Sequence, residues 1–279
     1  MADTGQHKTG QWQLSAEAAE RYQRYVARYI LGPWAPPLVD AAGIGAGERV
    51  LDVACGTGVG ARTAMQRVGS TGRVVGVDLN PGMIAVARSL PVSGDCPVKW
   101  IEGSALDLPV ADAGMDVVLC QQGLQFFPDK ALALREMRRV VRGAGRLALS
   151  VWAAVGPYHS AVGEALTRFL DESTAASFCA SRKAPGKDEL ERLVATAGWS
   201  EVKVSVSRLN IHVPAVERFV LEHLAGTPVA AALAAADAET RENIGASVKR
   251  AMERFEDGDG VTYPEEARVV TARVREEAR

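Results

Sequence analysis

Residues 50–58, VLDVACGTG, form the stretch that decides the fold of this chain. The stretch is an apolar run that carries one acidic residue, Asp52, and then breaks into glycines. A strand that ends in glycines lets a ligand approach bare backbone, because no Cβ stands in its way. The stretch therefore predicts a buried strand followed by a cofactor-binding loop.

Further short apolar runs follow this strand, and helical patterns separate most of them. The runs cover residues 73–77, 98–101, 115–120 and 146–151. Strands that alternate with helices form a parallel sheet with helices on both faces. A later strand over residues 202–213 changes its apolar phase between Val206 and Leu209, which predicts a bulge or bend there. The pattern as a whole predicts a doubly wound α/β domain.

Helical patterns flank the sheet at both ends of the chain. Residues 15–30 place large side chains, among them Tyr22 and Tyr25, at the spacing of one helical face. Residues 215–256 have helical composition and lie between the last two candidate strands. We expect a helical cap over residues 1–43 and one domain over residues 44–279, with a helical lid at about residues 215–256.

Composition and charge are those of an ordinary globular protein. The 279 residues are 47% hydrophobic and carry 32 basic against 34 acidic side chains, so no nucleic-acid partner is indicated. Four cysteines without a CxxC pair argue against disulfides and a structural zinc site, and no metal site is expected. No apolar run is long enough to span a membrane, and no signal peptide is recognisable, so a cytoplasmic monomer or homodimer is expected.

Two carboxylates help to choose the ligand of the glycine loop. Gly56, Gly58 and Ala61 match the dinucleotide pattern GxGxxA, which by itself fits several cofactors. Asp78 closes the second strand, where a carboxylate can accept hydrogen bonds from both ribose hydroxyls of an adenosine. Asp52 inside the first strand would repel a bound pyrophosphate. A cofactor with an ammonium group and no phosphate is therefore favoured.

Three motifs of this chain, in their order along the sequence, resemble those of one protein family. VLDVACGTG, VVGVDLNPGMIAVAR and EGSALDLPVADAGMDVVLCQQGLQFFPD are similar to the motifs of class I S-adenosylmethionine-dependent methyltransferases. The resemblance is strongest to the small-molecule group around the ubiquinone and menaquinone methyltransferases, and it covers residues 47–152. It implies a Rossmann-like sheet of seven strands with the last strand antiparallel.

The resemblance also implies which residues bind S-adenosylmethionine and its product, S-adenosylhomocysteine. Asp52 would orient the charged end of the cofactor, Asp78 would hold the ribose, and a tyrosine of the N-terminal helix would touch the carboxylate or the acceptor. Ser104 stands where the family usually has Asp or Asn, which implies a weaker adenine contact. The implied cofactor residues are Tyr22, Asp52, Ala54, Gly56, Gly58, Asp78, Leu79, Met83, Ser104, Ala105, Leu106 and Gln121.

The acceptor side follows the fourth and fifth strands. No histidine stands there beside the glutamines, so a general base is either absent or is His159, which we place in a loop after the fifth strand. Aromatic residues in the same region suggest a flat or apolar acceptor. The candidate acceptor residues are Tyr25, Gln122, Gln125, Phe126, Trp152 and Tyr158.

The sequence thus predicts transfer of a methyl group from S-adenosylmethionine to a small apolar or aromatic metabolite by in-line displacement. Two alternatives stay open. A protein that binds the cofactor without methyl transfer, such as a cyclase, would carry the same motifs. An NAD-dependent oxidoreductase fits GxGxxA but is opposed by Asp52.

Overall fold

One sheet of eight strands runs through the residues that the computed structural model describes, which are 14–91 and 96–274. The strands are β1 (Arg49–Val53), β2 (Arg73–Asp78), β3 (Val98–Glu102), β4 (Met115–Gln121), β5 (Val141–Trp152), β6 (Ser200–Pro214), β7 (Glu256–Asp257) and β8 (Gly260–Arg273). Their order is β3-β2-β1-β4-β5-β8-β6, and the two-residue β7 pairs with β8. The first five strands are parallel, whereas β8 runs antiparallel between β5 and β6. The predicted doubly wound sheet with an antiparallel last strand is confirmed, and the short β7 is an addition to it.

Eleven α-helices surround the sheet in the described part of the chain. They are α1 (Ala16–Arg21), α2 (Ala35–Ala42), α3 (Val59–Val68), α4 (Pro81–Ser89), α5 (Lys130–Val140), α6 (Pro157–Phe169), α7 (Glu172–Cys179), α8 (Lys187–Thr196), α9 (Val216–Ala225), α10 (Ala230–Ala235) and α11 (Ala238–Met252). Between α1 and α2 the chain forms a π-helix over Tyr22–Leu31 and a 3₁₀ turn over Gly32–Trp34. None of these helices is both long and apolar enough to cross a membrane.

Alternate residues of the central strands are buried on opposite faces of the sheet. Val50 packs with α2, α3 and α4 on one face, whereas Leu51 and Val53 pack with α5 and α8 on the other. Strands that are covered on both faces are expected to be continuously apolar. This explains why the apolar runs of β1 and β4 could be recognised in the sequence.

The long strand β6 does not contain the predicted bulge. Residues 203–214 pair with β8 without a break, so the bulge placed between Val206 and Leu209 is wrong, and the register shifts only near the start of the strand. The apolar phase changes because the two halves of the strand bury opposite faces. Val202 and Val204 pack with the α5 and α8 core, and Ile211 and Val213 pack with the core of α6 and α9.

The N-terminal helices and the helices after β6 meet at one end of the sheet. Arg21 of α1 forms an ion pair with Glu222 of α9 at 2.8 Å. Tyr25 and Tyr29 of the π-helix both pack edge-on against Phe219 of α9. These contacts hold the two helical segments together above the carboxyl ends of the strands.

Candidate functional site

A cleft opens at the carboxyl ends of β1, β2 and β4, beneath the π-helix. It encloses about 1220 Å³ of empty space, including its mouth. Ligands of open α/β sheets bind at this edge, where neighbouring strands lead to helices on opposite faces.

The glycine loop and Asp78 meet at the polar end of the cleft. The backbone N–H of Gly56 donates to Asp78 Oδ2 at 2.8 Å, and that of Asn80 donates to Oδ1 at 2.9 Å. Each carboxylate oxygen accepts one of these bonds and keeps a second lone pair for a ligand. Burial raises the pKa of Asp78, although the two backbone hydrogen bonds oppose this shift. Asp78 thus lines the cleft as a positioned acceptor pair.

Asp52 does not reach the cleft. Its side chain is 1% exposed, and its Oδ2 accepts a hydrogen bond from the backbone N–H of Ala61 at 2.7 Å. Strand alternation turns Asp52 toward the face that α3 covers, so its carboxylate lies under the first turn of that helix. Neither Asp52 nor Gly58 is among the residues that line the cleft, so their predicted roles at the cofactor stay predictions. Burial raises the pKa of Asp52 to about 7.

The predicted adenine-side residues do line the cleft beyond Asp78. Asn80, which the prediction missed, caps α4 by accepting from the N–H groups of Gly82 and Met83. An Asn-Pro pair directly after a strand is a helix-start signal that could have identified it. Ser104 Oγ accepts from the N–H of Leu106 at 3.1 Å. The predicted residues at this side are Leu79, Met83, Ser104, Ala105 and Leu106.

Two of the cleft residues that follow strands adopt the left-handed backbone conformation without being glycine. They are Ala54 after β1 (φ 55°) and Gln122 after β4 (φ 53°), and both line the cleft. Such conformations are unfavourable for residues other than glycine and concentrate at functional sites. Gln121 Nε2 donates to the carbonyl oxygen of Leu31 at 2.7 Å, while its buried Oε1 has no partner among the described residues. An acceptor oxygen is therefore free near the glycine loop.

The π-helix forms the roof of the cleft. Tyr22, Val26 and Ile30 line it at a spacing of four residues, which the wider turn of a π-helix brings onto one face. The predicted role of Tyr22 at the cofactor is consistent with this position. Tyr25 is a correction, because it packs against Phe219 and does not line the cleft.

Aromatic side chains and amides form the other end of the cleft, where the acceptor is predicted to bind. Gln125 Nε2 donates to the carbonyl oxygen of Ser181 at 3.1 Å, and the buried Oε1 of Gln125 and both amide atoms of Gln122 find no partner in the described part of the chain. Among the predicted acceptor residues, Gln122, Gln125, Phe126 and Trp152 line the cleft, together with Phe127 and Phe178.

A buried ion pair at this end was missed. Arg182 donates to Glu265 at 2.7 Å, and its guanidinium lies 3.8 Å from the centroid of the Trp152 ring. Both side chains of the pair are nearly inaccessible, and Arg182 lines the cleft. The two residues are 83 positions apart, so only the fold brings them together.

The two remaining predicted residues of the acceptor end are placed differently from the prediction. His159 lies in the first turn of α6, not in a loop, and stacks on Phe178 at 4.1 Å. It lines the cleft, but burial and the nearby Arg182 lower its pKa to about 2, which argues against a role as general base. Tyr158 is fully buried behind the wall of the cleft, where its hydroxyl hydrogen-bonds His223.

The polar end fits a nucleoside cofactor that carries an ammonium group. Asp78 offers lone pairs to a ribose, and Gln121 Oε1 offers an acceptor to an ammonium. Among the described residues that line the cleft, Arg182 is the one Lys or Arg, and Glu265 already pairs with it. A pyrophosphate would therefore lack a counter-charge here.

Comparison with known proteins identifies the class of this fold and cleft. Residues 50–145 match a family model described as a methyltransferase domain. The demethylmenaquinone methyltransferase of Staphylococcus aureus is 30% identical over 183 residues, which are 61% of this chain and 76% of that protein. The chain belongs to the class I S-adenosylmethionine-dependent methyltransferases and is similar to the enzymes of menaquinone biosynthesis. This excludes the oxidoreductase alternative.

Solved structures share the fold over most of the chain. The YcgJ protein of Bacillus subtilis has a TM-score of 0.57 at 20% identity and covers 88% of this chain and 100% of its own. Phosphoethanolamine N-methyltransferase 2 of Haemonchus contortus, solved with S-adenosylhomocysteine, has a TM-score of 0.59 at 17% identity and covers 94% of this chain and 58% of its own. At these identities the likeness concerns the fold alone.

Proposed function

We propose that this enzyme transfers the methyl group of S-adenosylmethionine to a small, flat and largely apolar metabolite by in-line displacement. One observation carries the proposal: a single cleft joins a polar end at Asp78 and Gly56 to an aromatic end at Phe126, Phe178 and Trp152. Bound S-adenosylmethionine supplies a methyl group on a positively charged sulfur. The protein then needs to hold the acceptor in line with this group and to exclude water.

The cofactor residues keep the roles implied by the family, with one change. Asp78 would accept from the ribose hydroxyls, and Gln121 would accept from the ammonium. Asp52 would instead stabilise the turn from the glycine loop into α3, because its carboxylate accepts a hydrogen bond from the backbone N–H of Ala61. Tyr22 would close the roof over the loop, since a Cβ on Gly56 would lie 3.5 Å from the Tyr22 hydroxyl.

The acceptor brings its own nucleophile in this proposal. Burial and Arg182 lower the pKa of both histidines at the aromatic end, to about 2 for His159 and about 3 for His223. Glu265 is engaged by Arg182. A base at neutral pH is thus lacking among the described residues of this end, which favours an acceptor that is nucleophilic without proton removal by the protein. The Staphylococcus aureus relative is named for demethylmenaquinone, a flat apolar compound, which supports the same class of acceptor.

The helices over residues 215–256 serve as a lid in this proposal. His223 of α9 and Thr227 after it line the cleft, and Glu222 of α9 pairs with Arg21 of α1. An acceptor would enter when α9 and the N-terminal helices separate. The boundaries of the cap at residue 43 and of the lid stay predictions.

The test is a search for the methylated product. Protein is incubated with S-adenosylmethionine that carries an isotope-labelled methyl group and with an extract of small metabolites, and the products are resolved by mass spectrometry. The expected result is label in a compound that partitions into organic solvent, with one S-adenosylhomocysteine formed per methyl group. Unchanged S-adenosylmethionine across extracts would contradict methyl transfer and favour a protein that only binds the cofactor.

A further inference from the structure

His223 is a cleft residue with a fixed orientation. It lies on α9, lines the acceptor end of the cleft and is 6% exposed. Its Nδ1 is 2.9 Å from the Tyr158 hydroxyl oxygen. The Tyr158 ring stacks on the imidazole at 5.6 Å, and Phe178 packs edge-on against it at 5.7 Å. Phe219 also lies beside the imidazole at 6.1 Å, so one hydrogen bond and three aromatic contacts hold the ring in place.

The hydrogen bond with Tyr158 selects the tautomer of His223. Among the described residues, His223 is the single hydrogen-bond partner of the Tyr158 hydroxyl, which is fully buried. The hydroxyl therefore donates to Nδ1, because its proton would otherwise be buried without an acceptor. Burial, followed by the charge of Arg182, lowers the pKa of His223 to about 3, so the ring is neutral. A neutral ring that accepts at Nδ1 carries its proton on Nε2.

The free nitrogen of His223 is available to a ligand. No hydrogen bond from the residues that the structure describes reaches Nε2, although Nδ1 is occupied. The buried Nε of Arg182, at the same end of the cleft, also lacks a partner there. Arg182 carries a positive charge, and its partner Glu265 does not line the cleft. This end thus combines a positive charge with the free Nε2 of His223, beside the aromatic side chains of Trp152 and Phe178.

We propose that His223 determines acceptor specificity by donating a hydrogen bond from Nε2 to an oxygen of the methyl acceptor, with Tyr158 as the positioning residue that holds the tautomer. The acceptor class is a flat aromatic compound that carries a carbonyl, ether or ionised hydroxyl oxygen. This inference rests on the proposed function, since it assigns this end of the cleft to the acceptor. A donor at this position rejects a compound of the same shape without the oxygen, because the buried N–H would then stay unpaired.

Two probes of nearly the same shape test the hydrogen bond. 2-Methoxynaphthalene carries an oxygen that can only accept, and 2-ethylnaphthalene has a methylene group in its place. Binding of each to the protein saturated with S-adenosylhomocysteine is measured by calorimetry. We expect the wild type to bind the methoxy probe about 5-fold more tightly, the value of one ordinary hydrogen bond. Equal affinities for the two probes would overturn the proposal.

Three variants separate the hydrogen bond from general packing. Tyr158→Phe and His223→Phe should each bind the two probes equally. Tyr263→Phe is the matched control, because the Tyr263 ring stacks on Tyr158 at 5.4 Å while its buried hydroxyl has no partner among the described residues. It should keep the wild-type preference. Loss of the preference in the control, or its survival in the other two variants, would contradict the assignment.

Nitrogen NMR of His223 gives a readout that packing alone does not change. The wild-type spectrum should show the proton on Nε2, and Tyr158→Phe should shift the ring toward the other tautomer. An Nδ1 proton in the wild type would overturn the proposal even if His223→Phe does not fold. Failure of the methyl-transfer assay, in contrast, would contradict the proposed function and leave the probe preference and the tautomer unaffected.

Discussion

At the scale of single residues, the carboxylate of Asp78 organises the polar end of the cleft. It accepts hydrogen bonds from the backbone N–H groups of Gly56 and Asn80, and it lines the space where the ribose would lie. Its position at the end of β2 was readable from the sequence, because a strand end at this edge of the sheet faces the ligand.

We predict that Asp78→Ala weakens S-adenosylhomocysteine binding about 10- to 100-fold, since one or two hydrogen bonds to a charged acceptor are lost. Glu102→Ala is the control, because Glu102 ends the neighbouring strand in register with Asp78 but is exposed and outside the cleft. Calorimetry should give wild-type affinity for the control. An unchanged dissociation constant in Asp78→Ala would contradict the ribose assignment.

The raised pKa of Asp52 makes the stability of the folded protein depend on pH. Burial raises its pKa in the folded protein to about 7, whereas an unfolded Asp titrates near 3.9. Ionisation therefore costs more in the folded state, and stability is lost as pH rises from about 4 to 7. Asp52→Asn keeps an oxygen that can accept from Ala61 and removes the titration.

The expected result is that Asp52→Asn becomes more stable relative to wild type as pH rises from 5 to 7, by about 1 to 3 kcal/mol in total. The difference should level off above pH 7. Denaturant unfolding of both proteins at each pH measures it, and contributions of other groups cancel in the comparison. A difference that stays constant between pH 5 and 8 would show that Asp52 does not titrate in this range.

At the scale of elements, the sheet was predictable and the helical cap was only partly so. β1 and β4 are largely apolar because both of their faces are covered, and that signal needs no knowledge of distant residues. The change of apolar phase in β6 predicts a bulge. In the structure the phase changes because the two halves of one strand bury opposite faces against two different cores. The sequence predicts an α-helix over residues 15–30, whereas the structure has a π-helix over Tyr22–Leu31. Tyr25, predicted at the acceptor, packs against Phe219 instead.

The contact between the N-terminal helices and α9 should control the closed form of the cleft. A Cβ on Gly226, just after α9, would lie 2.7 Å from the backbone nitrogen of Tyr22. We predict that Gly226→Ala destabilises the protein by about 1 to 3 kcal/mol and weakens S-adenosylhomocysteine binding, because the backbone of the roof must move.

Gly143→Ala is the matched control for this prediction. A Cβ there meets nothing within 4 Å, and its backbone conformation requires no glycine. Thermal unfolding and calorimetry should therefore give wild-type values for this variant. Equal behaviour of the two variants would show that the approach of α9 to Tyr22 does not support the site.

At the scale of the whole molecule, the site depends on residues that are far apart in the chain. Arg182 pairs with Glu265, and Tyr158 with His223, across 83 and 65 positions. Local patterns do not reveal such pairs. The sequence therefore predicted residues that line the polar end of the cleft, which follows β1, β2 and β4, but it did not predict Phe178, Arg182 and His223 at the aromatic end. The same distance explains why the sequence predicts His159 as a candidate base in a loop, whereas the structure places it in α6 as a buried residue of the cleft wall.

The central claim is that this cleft binds S-adenosylmethionine and its product, and thermal unfolding with ligands tests it most directly. S-adenosylhomocysteine at about 100 times its dissociation constant should stabilise the folded protein by about 2.7 kcal/mol, which corresponds to a rise in Tm of roughly 5 to 10 °C. NAD at the same concentration should leave Tm unchanged, because among the described residues that line the cleft the one Lys or Arg, Arg182, is already paired with Glu265 and the pyrophosphate of NAD would lack a counter-charge. A rise in Tm with NAD and none with S-adenosylhomocysteine would contradict the account.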